Sequence, residues 1–296
     1  MVVAEEIPTR AGVLTALPVA TLTSDQAADA MSRSFEGYLV PISMDGPAFE
    51  RRFGPEHLDR YLSEVYTADG ELVGISLVTR RGTTARIGGF GCTPAYRGRG
   101  VGRALMDRAV RRCTEAGATT LTLEVIVGNA AAQGLYEKLG FRVARTLVGY
   151  RWEPTGAEPA IAEPQLSPSP HGLTEIDPVR FARGLSLDGA QPPWQLAPET
   201  LAAAVPPRRA YALGPATALV GVTEDAVSVV AVHTDPAARR QGHARALLGA
   251  LRATFPGRNW VVPAIVPEDA GAAFFAATGW VRADLAQYEM VRANPF

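Results

Sequence analysis

The sequence predicts a mixed α/β fold, a sheet with helices on its faces, laid down twice in tandem. Two observations predict the duplication and a third marks the joint. The segment TPAYRGRGVGRALMDRAV at 93–110 is echoed by TDPAARRQGHARALLGAL at 234–251. Each is followed by a strand-like run and then by a short helix ending in glycine plus an aromatic, YEKLGF at 136–141 and FAATGW at 275–280. Recurrence in the same order at so long a period marks a duplicated domain rather than a solenoid. Between the copies, 153–170 (EPTGAEPAIAEPQLSPSP) carries Pro154, Pro159, Pro164, Pro168 and Pro170 with no helical or strand period. That composition makes a semi-extended linker. The expected division is a first domain at 1–152, a linker at 153–170 and a second domain at 171–296, and 296 residues suit two domains.

Within the first copy the pattern predicts a weak strand at 13–21. Thr23 then caps a helix over 24–34, with Gln26 completing a capping box. Residues 49–62 read as irregularly helical. A hairpin follows, 63–67 and 71–80, turning at Asp69-Gly70. The strand at 84–93 is interrupted by Gly88, Gly89 and Gly91, and glycines inside a strand mark a bulge or a close approach. A helix over 101–116 aligns Val101, Leu105, Ala109, Val110 and Cys113 on one face and stops at Gly117. The strand 119–127 alternates, with Leu121, Leu123, Val125 and Val127 on one face and Thr120, Thr122, Glu124 and Ile126 on the other. Asn129 caps a helix that runs to Leu139 and ends at Gly140, and 141–150 is the last strand.

Composition excludes several classes. Apolar residues are 47% and charged residues 20%, a globular balance. Lys and Arg number 29 against 30 Asp and Glu, a formal charge of −1. That balance argues against a nucleic-acid binder and against a polybasic membrane anchor. No apolar run is long enough to span a bilayer, and Glu5 and Glu6 stand where a signal peptide would need apolar residues. Two cysteines, Cys92 and Cys113, make no disulfide framework and point to the cytoplasm. Four histidines, His57, His171, His233 and His243, show no metal-ligand spacing, so no metal is expected.

The run Arg97-Gly98-Arg99-Gly100-Val101-Gly102-Arg103 joins a strand to a helix. A helix N-terminus offers unpaired amides and the positive end of the dipole, and glycines let a phosphate reach them. The bland alternative is a tight turn that merely packs the helix. A Walker loop needs Gly-Lys-Ser/Thr, whereas Arg103 follows Gly102 here. The dinucleotide fingerprint needs Gly-x-Gly-x-x-Gly, and this run spaces its glycines differently.

Arg97-x-x-Gly100-x-Gly102 resembles the acyl-CoA-binding motif of the GNAT N-acyltransferase superfamily. Leu123-Glu124-Val125, Asn129-x-x-Ala132 and Leu135-Tyr136-Glu137-x-x-Gly140-Phe141 resemble its other half, and are especially similar to the ribosomal-protein alanine N-acetyltransferases. The likeness covers 60–150 well and the start of the domain loosely. It implies a tandem GNAT fold and an N-acetyltransferase using acetyl-CoA as co-substrate, by direct attack in a ternary complex. It implies that Gly91, Cys92, Thr93, Arg97, Gly98, Arg99, Gly100, Val101, Gly102, Arg103 and Asn129 hold the acetyl-CoA. A bulge near Gly89–Cys92 would present a backbone amide to the thioester oxygen. Tyr136 is then the candidate general acid, with a core tyrosine as the alternative, and Glu124 the candidate base through a water, with a structural carboxylate as the alternative. A nucleophilic Cys92 is the minor reading.

For the acceptor, Phe35, Glu36 and Tyr38 follow the first helix, where this family lines its acceptor groove. The acceptor class is a small-molecule amine or a peptide N-terminus. Arg80, Arg81 and Arg86 read equally as a solvated hairpin tip. In the second copy Arg239-x-x-Gly242-x-Ala244 keeps the phosphate loop, but Glu268, Phe275 and Pro263 stand where Asn129, Tyr136 and Glu124 stand in the first. It reads as a degenerate copy, making the chain a monomeric pseudo-dimer or a homodimer of such chains. Two alternatives stay open: an acyltransferase like mycothiol synthase, and a non-catalytic acyl-CoA sensor or interaction module.

Overall fold

The computed structural model describes residues 4–9, 12–153, 172–185 and 191–293; apart from Glu153, the proline-rich run at 153–170 lies outside them. The first repeat forms β1 (Glu5–Thr9), β2 (Gly12–Pro18), α1 (Ser24–Ser34), α2 (Gly46–Phe53), β3 (Glu64–Ala68), β4 (Glu71–Arg81), β5 (Thr84–Cys92), α3 (Val101–Glu115), β6 (Thr120–Ile126), α4 (Ala130–Lys138) and β7 (Arg142–Trp152). The second forms β8 (Thr174–Ile176), α5 (Pro178–Arg183), α6 (Pro198–Ala202), β9 (Arg208–Leu213), β10 (Ala216–Val222), β11 (Ala226–Thr234), α7 (His243–Thr254), β12 (Asn259–Pro267), α8 (Ala272–Ala277) and β13 (Trp280–Ala293). Among the described residues no helix is long and apolar enough to cross a membrane.

Local chemistry accounts for these elements. The Thr23–Gln26 capping box forms in both directions at the start of α1, an arrangement worth about 1 kcal/mol. Asp69 and Gly70 both take positive φ, 50° and 82°, which a two-residue hairpin turn demands. The irregular helix expected at 49–62 is instead α2, begun earlier by the side-chain cap of Asp45 and ended at Phe53. β1 was not foreseen; it is the edge strand of a hairpin with β2.

The chain divides into compact units, but not at the proline-rich run. Unit 1 is Met1–Ala144 with Glu289–Phe296, and unit 2 is Arg145–Tyr288. This departs from the division into 1–152 and 171–296, and the reason is backbone pairing. β7, the last strand of the first repeat, pairs antiparallel with β12, from Val261↔Arg151 to Pro267↔Leu147. Of β13, Trp280–Tyr288 belongs to unit 2 and Glu289–Ala293 to unit 1. Unit 1 carries the strand order β1-β2-β3-β4-β5-β6, and unit 2 the order β7-β12-β11-β10-β9-β8.

Unit 1 buries both faces of its sheet. Val65, Ile75 and Leu77 pack with Ala27, Met31, Phe49 and Phe53 of α1 and α2. Tyr66, Val73 and Cys92 pack with Val101 and Leu105 of α3. β4 is accordingly buried almost throughout, as expected of a strand covered on both sides. Arg108 of α3 is buried as well, held by Glu64 and Glu5.

Candidate functional site

The site of unit 1 is a fork between two parallel strands. β5 and β6 pair from Thr84↔Thr120 to Ile87↔Leu123, and the pairing goes no further. Beyond it, Gly88–Cys92 and Glu124–Ile126 part. On its other edge β5 stays paired with β4, but Leu77 meets Gly89 while Val78 meets Ile87, so Gly88 is an extra residue. The expected bulge exists, and it sits at Gly88, one residue before the predicted span. A bulge bends the strand and increases its twist, which carries β5 away from β6. The same register shift recurs in unit 2, where Leu219 meets Ala231 and Val220 meets Val229.

At the open end of the fork the glycine-rich turn enters α3. Gly98 and Gly100 have φ of 73° and 77°, a left-handed conformation that only glycine adopts without strain. Gly100 is the helix N-cap and has no side chain with which to cap, so the first-turn amides face outward. Gly242 does the same at the start of α7, with φ 85°. Val101 is buried in the core under the turn. Gly102 lies beneath it, where a Cβ would come 3.7 Å from Cys92 Sγ. Arg99 is exposed, and Arg103 is exposed near Asp107 at 3.6 Å. Uncapped amides beside exposed arginines give this turn the chemistry to receive an anion.

Arg97, Gly91 and Thr93 are placed differently from expectation. The Arg97 guanidinium donates to the carbonyls of Cys92 (2.9 Å), Ser34 (3.2 Å) and Glu36 (2.6 Å). Through Nε and Nη2 it clamps the end of β5 to the end of α1. Arg239 repeats the clamp in unit 2, donating to the Thr234 carbonyl at 3.3 Å. Gly91 is required by packing: a Cβ there would lie 2.8 Å from the Ser34 carbonyl oxygen and 3.2 Å from the Phe35 ring. Thr93 donates its amide to Val73 and its hydroxyl to Leu72.

The fork gathers most of the remaining predicted residues. Asn129 Oδ1 accepts from the Ala132 amide as the cap of α4, and its Nδ2 donates to the Tyr38 hydroxyl at 3.4 Å. Phe35 meets Tyr38 edge-on, ring centroids 5.2 Å apart. Tyr136 of α4 is buried. Burial raises its phenol pKa, and the nearby Tyr38 hydroxyl and Cys92 thiol raise it further. The proton is therefore held throughout the neutral range, as a donor requires. The Cys92 thiol is pushed up to about 11 by burial, which outweighs Arg97. It remains a thiol near neutrality and is poorly suited to nucleophilic attack. Cys92→Ala is expected to lower turnover only modestly; abolition would restore the acyl-enzyme reading. Glu36 is exposed and meets the fork only through its carbonyl.

Glu124 stands at the crotch, the first residue after pairing ends, and both its oxygens accept from Arg86. Arg86 Nε lies 3.0 and 2.8 Å from Oε1 and Oε2, and Nη2 lies 2.7 Å from Oε2. Arg86 Nη1 reaches Glu56 at 2.7 Å. The side chains of Arg86, Glu56 and Glu124 are 2%, 3% and 5% exposed. Arg86 is no part of a solvated hairpin tip. Burial alone would weaken its charge, but Glu124 and Glu56 outweigh burial and hold it protonated. Arg86 and Glu56 were missed as site residues. The available signal was a charge at Arg86 in a strand otherwise of small and apolar residues, on the face it shares with Thr122 and Glu124.

In unit 2 other side chains stand at the positions of Tyr136, Asn129 and Glu124. Phe275 replaces Tyr136 and stacks on Tyr150, centroids 4.2 Å apart. α8 starts only after Gly271, later than the Asn129-like position of Glu268. Pro263 falls within the irregular stretch of the β12–β7 ladder, where its missing N–H does no harm. A shallow depression lined by His57–Tyr61, Arg80 and Gly82 lies at the other end of β4 and β5 from the fork. Among the described residues there is no cluster of side chains able to hold a metal ion.

Comparison with known proteins agrees with this geometry. The profile of the Acetyltransferase (GNAT) family matches residues 27–141. The ribosomal protein bS18-alanine N-acetyltransferase of Escherichia coli K12 is 33% identical over 115 residues, covering 39% of this chain and 78% of that protein. Among solved structures, a tandem GNAT protein from the clavulanic acid biosynthesis pathway superposes with a TM-score of 0.65 at 20% identity, over 96% of this chain and 99% of that one. A GCN5-related N-acetyltransferase from Sphaerobacter thermophilus gives 0.64 at 17% identity, covering 95% of each chain. At those identities the two structures speak to the fold alone, a tandem one.

Proposed function

The chain is an enzyme of the GNAT acetyltransferase family, and from that premise we propose that unit 1 transfers an acetyl group from acetyl-CoA to an amine while unit 2 is a non-catalytic copy. The observation that carries this reading is the convergence on one fork of the uncapped α3 N-terminus, the Gly88 bulge, Tyr136 and Glu124. Unit 2 keeps the first two features and lacks the others.

The turn at Gly98–Arg103 suits a pyrophosphate, which its outward amides would hold, with Arg99 and Arg103 adding charge. The gap between β5 and β6 suits the extended pantetheine, lying where a strand would, beside Asn129. Acetyl-CoA supplies a thioester carbonyl. The Gly88–Cys92 segment that β6 no longer meets has amides free to stabilise negative charge on the carbonyl oxygen. Tyr136 donates its proton to the departing thiolate. Glu124 takes the proton of the attacking amine through a water. Phe35 and Tyr38 wall the acceptor side and Glu36 stands at its rim.

The acceptor is an amine, with a peptide N-terminus as its first candidate. Support comes from unit 1's likeness to a relative named for acetylating the alanine of a ribosomal protein. A calorimetric titration with acetyl-CoA tests the co-substrate site. One site per chain is expected, and Gly100→Val should weaken it about tenfold, since a β-branched residue in the left-handed region costs about 1–2 kcal/mol. Two sites would return a ligand to unit 2, and absence of binding would overturn the reading. Turnover is then followed with an alanine-terminated peptide against small amines, and a rate independent of any amine would point to a sensor instead.

A further inference from the structure

We propose that Ser34 is a specificity-determining residue of the acyl transfer: its hydroxyl hydrogen-bonds the carbonyl next to the reacting amine, and so favours an acceptor that presents a peptide N-terminus over a plain alkylamine. The inference rests on the reading of unit 1 as an N-acetyltransferase and names the feature of the acceptor that its site selects.

Ser34 is the last residue of α1 and is 1% exposed. Among the described residues its Oγ has no hydrogen-bond partner. A buried hydroxyl left unpaired costs stability, and helices of this chain have an easy remedy. Their hydroxyls turn back to the carbonyl four residues earlier: Ser32 donates to Ala28 at 2.8 Å in the same helix, and Thr114 to Val110 and Thr254 to Ala250 at 2.9 Å. Ala30 stands in the same relation to Ser34, and the Ser34 hydroxyl does not take its carbonyl. Such a group calls for a partner that the chain itself does not supply.

Its position says what that partner is. Ala27, Met31 and Ser34 are buried on one stripe of α1, and the stripe lies over the bulged part of β5. Met31 Cε is 3.6 Å from where a Cβ on Gly89 would stand, and the Ser34 carbonyl oxygen is 2.8 Å from where one on Gly91 would stand. Arg97 holds this end of the helix, donating to the Ser34 carbonyl at 3.2 Å. Ser34 therefore sits against the segment that receives the thioester carbonyl and directly precedes Phe35 and Tyr38, the wall of the acceptor side.

An acceptor entering along that wall brings its nitrogen to the thioester carbon and its neighbouring atoms to the end of α1. In a peptide N-terminus those atoms include the first carbonyl, and the Ser34 hydroxyl donates to its oxygen. A plain alkylamine offers only C–H groups there and leaves the hydroxyl unpaired, which is how a polar site rejects an analogue that lacks the matching group. The Thr79 hydroxyl is also buried and without a partner among the described residues. It lies on β4 opposite Arg86, at a level where β5 is still paired with β6. That is below the fork and out of the acceptor's reach, so Thr79 serves as the control.

The test is Ser34→Ala, with an alanine-terminated peptide compared with isopropylamine, which keeps the amine and the methyl and lacks the carbonyl. For the peptide, kcat/KM is expected to fall about tenfold, chiefly through KM, the worth of one hydrogen bond. Isopropylamine, followed as a substrate or, where its turnover is slow, as a competitor of the peptide, should be unaffected. Calorimetric affinity for acetyl-CoA should stay the same, and the melting temperature should not fall, since the variant removes an unpaired group. Thr79→Val should leave the preference between the two amines as it was. Unchanged peptide kinetics in Ser34→Ala overturns the proposal. Equal losses with both amines make Ser34 merely structural and overturn it too, as does a preference lost equally in Thr79→Val. If the wild type acetylates neither amine, the acetyltransferase reading fails; if it acetylates the peptide and the preference survives Ser34→Ala, only the present inference fails.

Discussion

Tyr136→Phe is expected to lower turnover by about 10²–10⁴-fold, the range in which a positioned proton donor contributes, with acetyl-CoA affinity unchanged. The variant removes one oxygen from a buried ring whose edge-on contact with Phe141, centroids 6.2 Å apart, does not need it. Among the described residues the phenol has no hydrogen-bond partner, so little stability depends on it. The titration of Tyr136 fixes the sign of its role. Burial, with Tyr38 and Cys92 nearby, raises its pKa above that of an ordinary phenol, about 10. The raised folded-state pKa favours the neutral form, so its contribution to stability is present below about pH 10 and is lost only as pH rises beyond the ordinary phenol range. Wild-type kcat should show no alkaline fall attributable to Tyr136 near neutrality. Stopped turnover and calorimetry on the same preparation provide the check. A variant with intact turnover would return Tyr136 to the core.

The fold of unit 1 was legible where local chemistry decides it. Thr23 and Gln26, Asp69-Gly70, Gly117, Asn129 and Gly140 each make a cap or turn that a single residue type dictates, and each appears where expected. Tertiary competition hid the rest. α2 needed the Asp45 cap to be recognised ahead of a proline, and β1 exists because β2 offers it an edge. The pairing of Arg142–Trp152 with β12 could not be read at all, because nothing in its local sequence marks a partner in the second repeat.

The site divides along similar lines. Backbone requirements were readable, because positive φ at Gly98 and Gly100 restricts the residue type. Side-chain assignments were less so. Arg97, expected among the acetyl-CoA ligands, also clamps three carbonyls, a role the sequence did not suggest. Its partners are distant in sequence, and an arginine donates equally well to a carbonyl or a phosphate. Arg86 and Glu56 lie thirty residues apart, and only the stacking of β4, β5 and β6 under α2 brings them to Glu124.

Arg86→Met is expected to destabilise the chain by about 3–5 kcal/mol, the cost of breaking a buried ion pair from one side. Methionine approximates the length of the side chain and fills much of its volume, so loss of packing is the smaller part. What remains is a buried Glu124 that has lost the guanidinium gripping both its oxygens, and a buried Glu56 that has lost its bond from Nη1. Urea denaturation measures the deficit directly. The triple replacement Arg86→Met, Glu56→Gln, Glu124→Gln should recover much of the loss, because the carboxylates are neutralised together with the cation. A deficit that the triple variant does not relieve would mean that Arg86 stabilises the fork by packing rather than by charge. In that case the orientation of Glu124 would have to come from elsewhere in the fork.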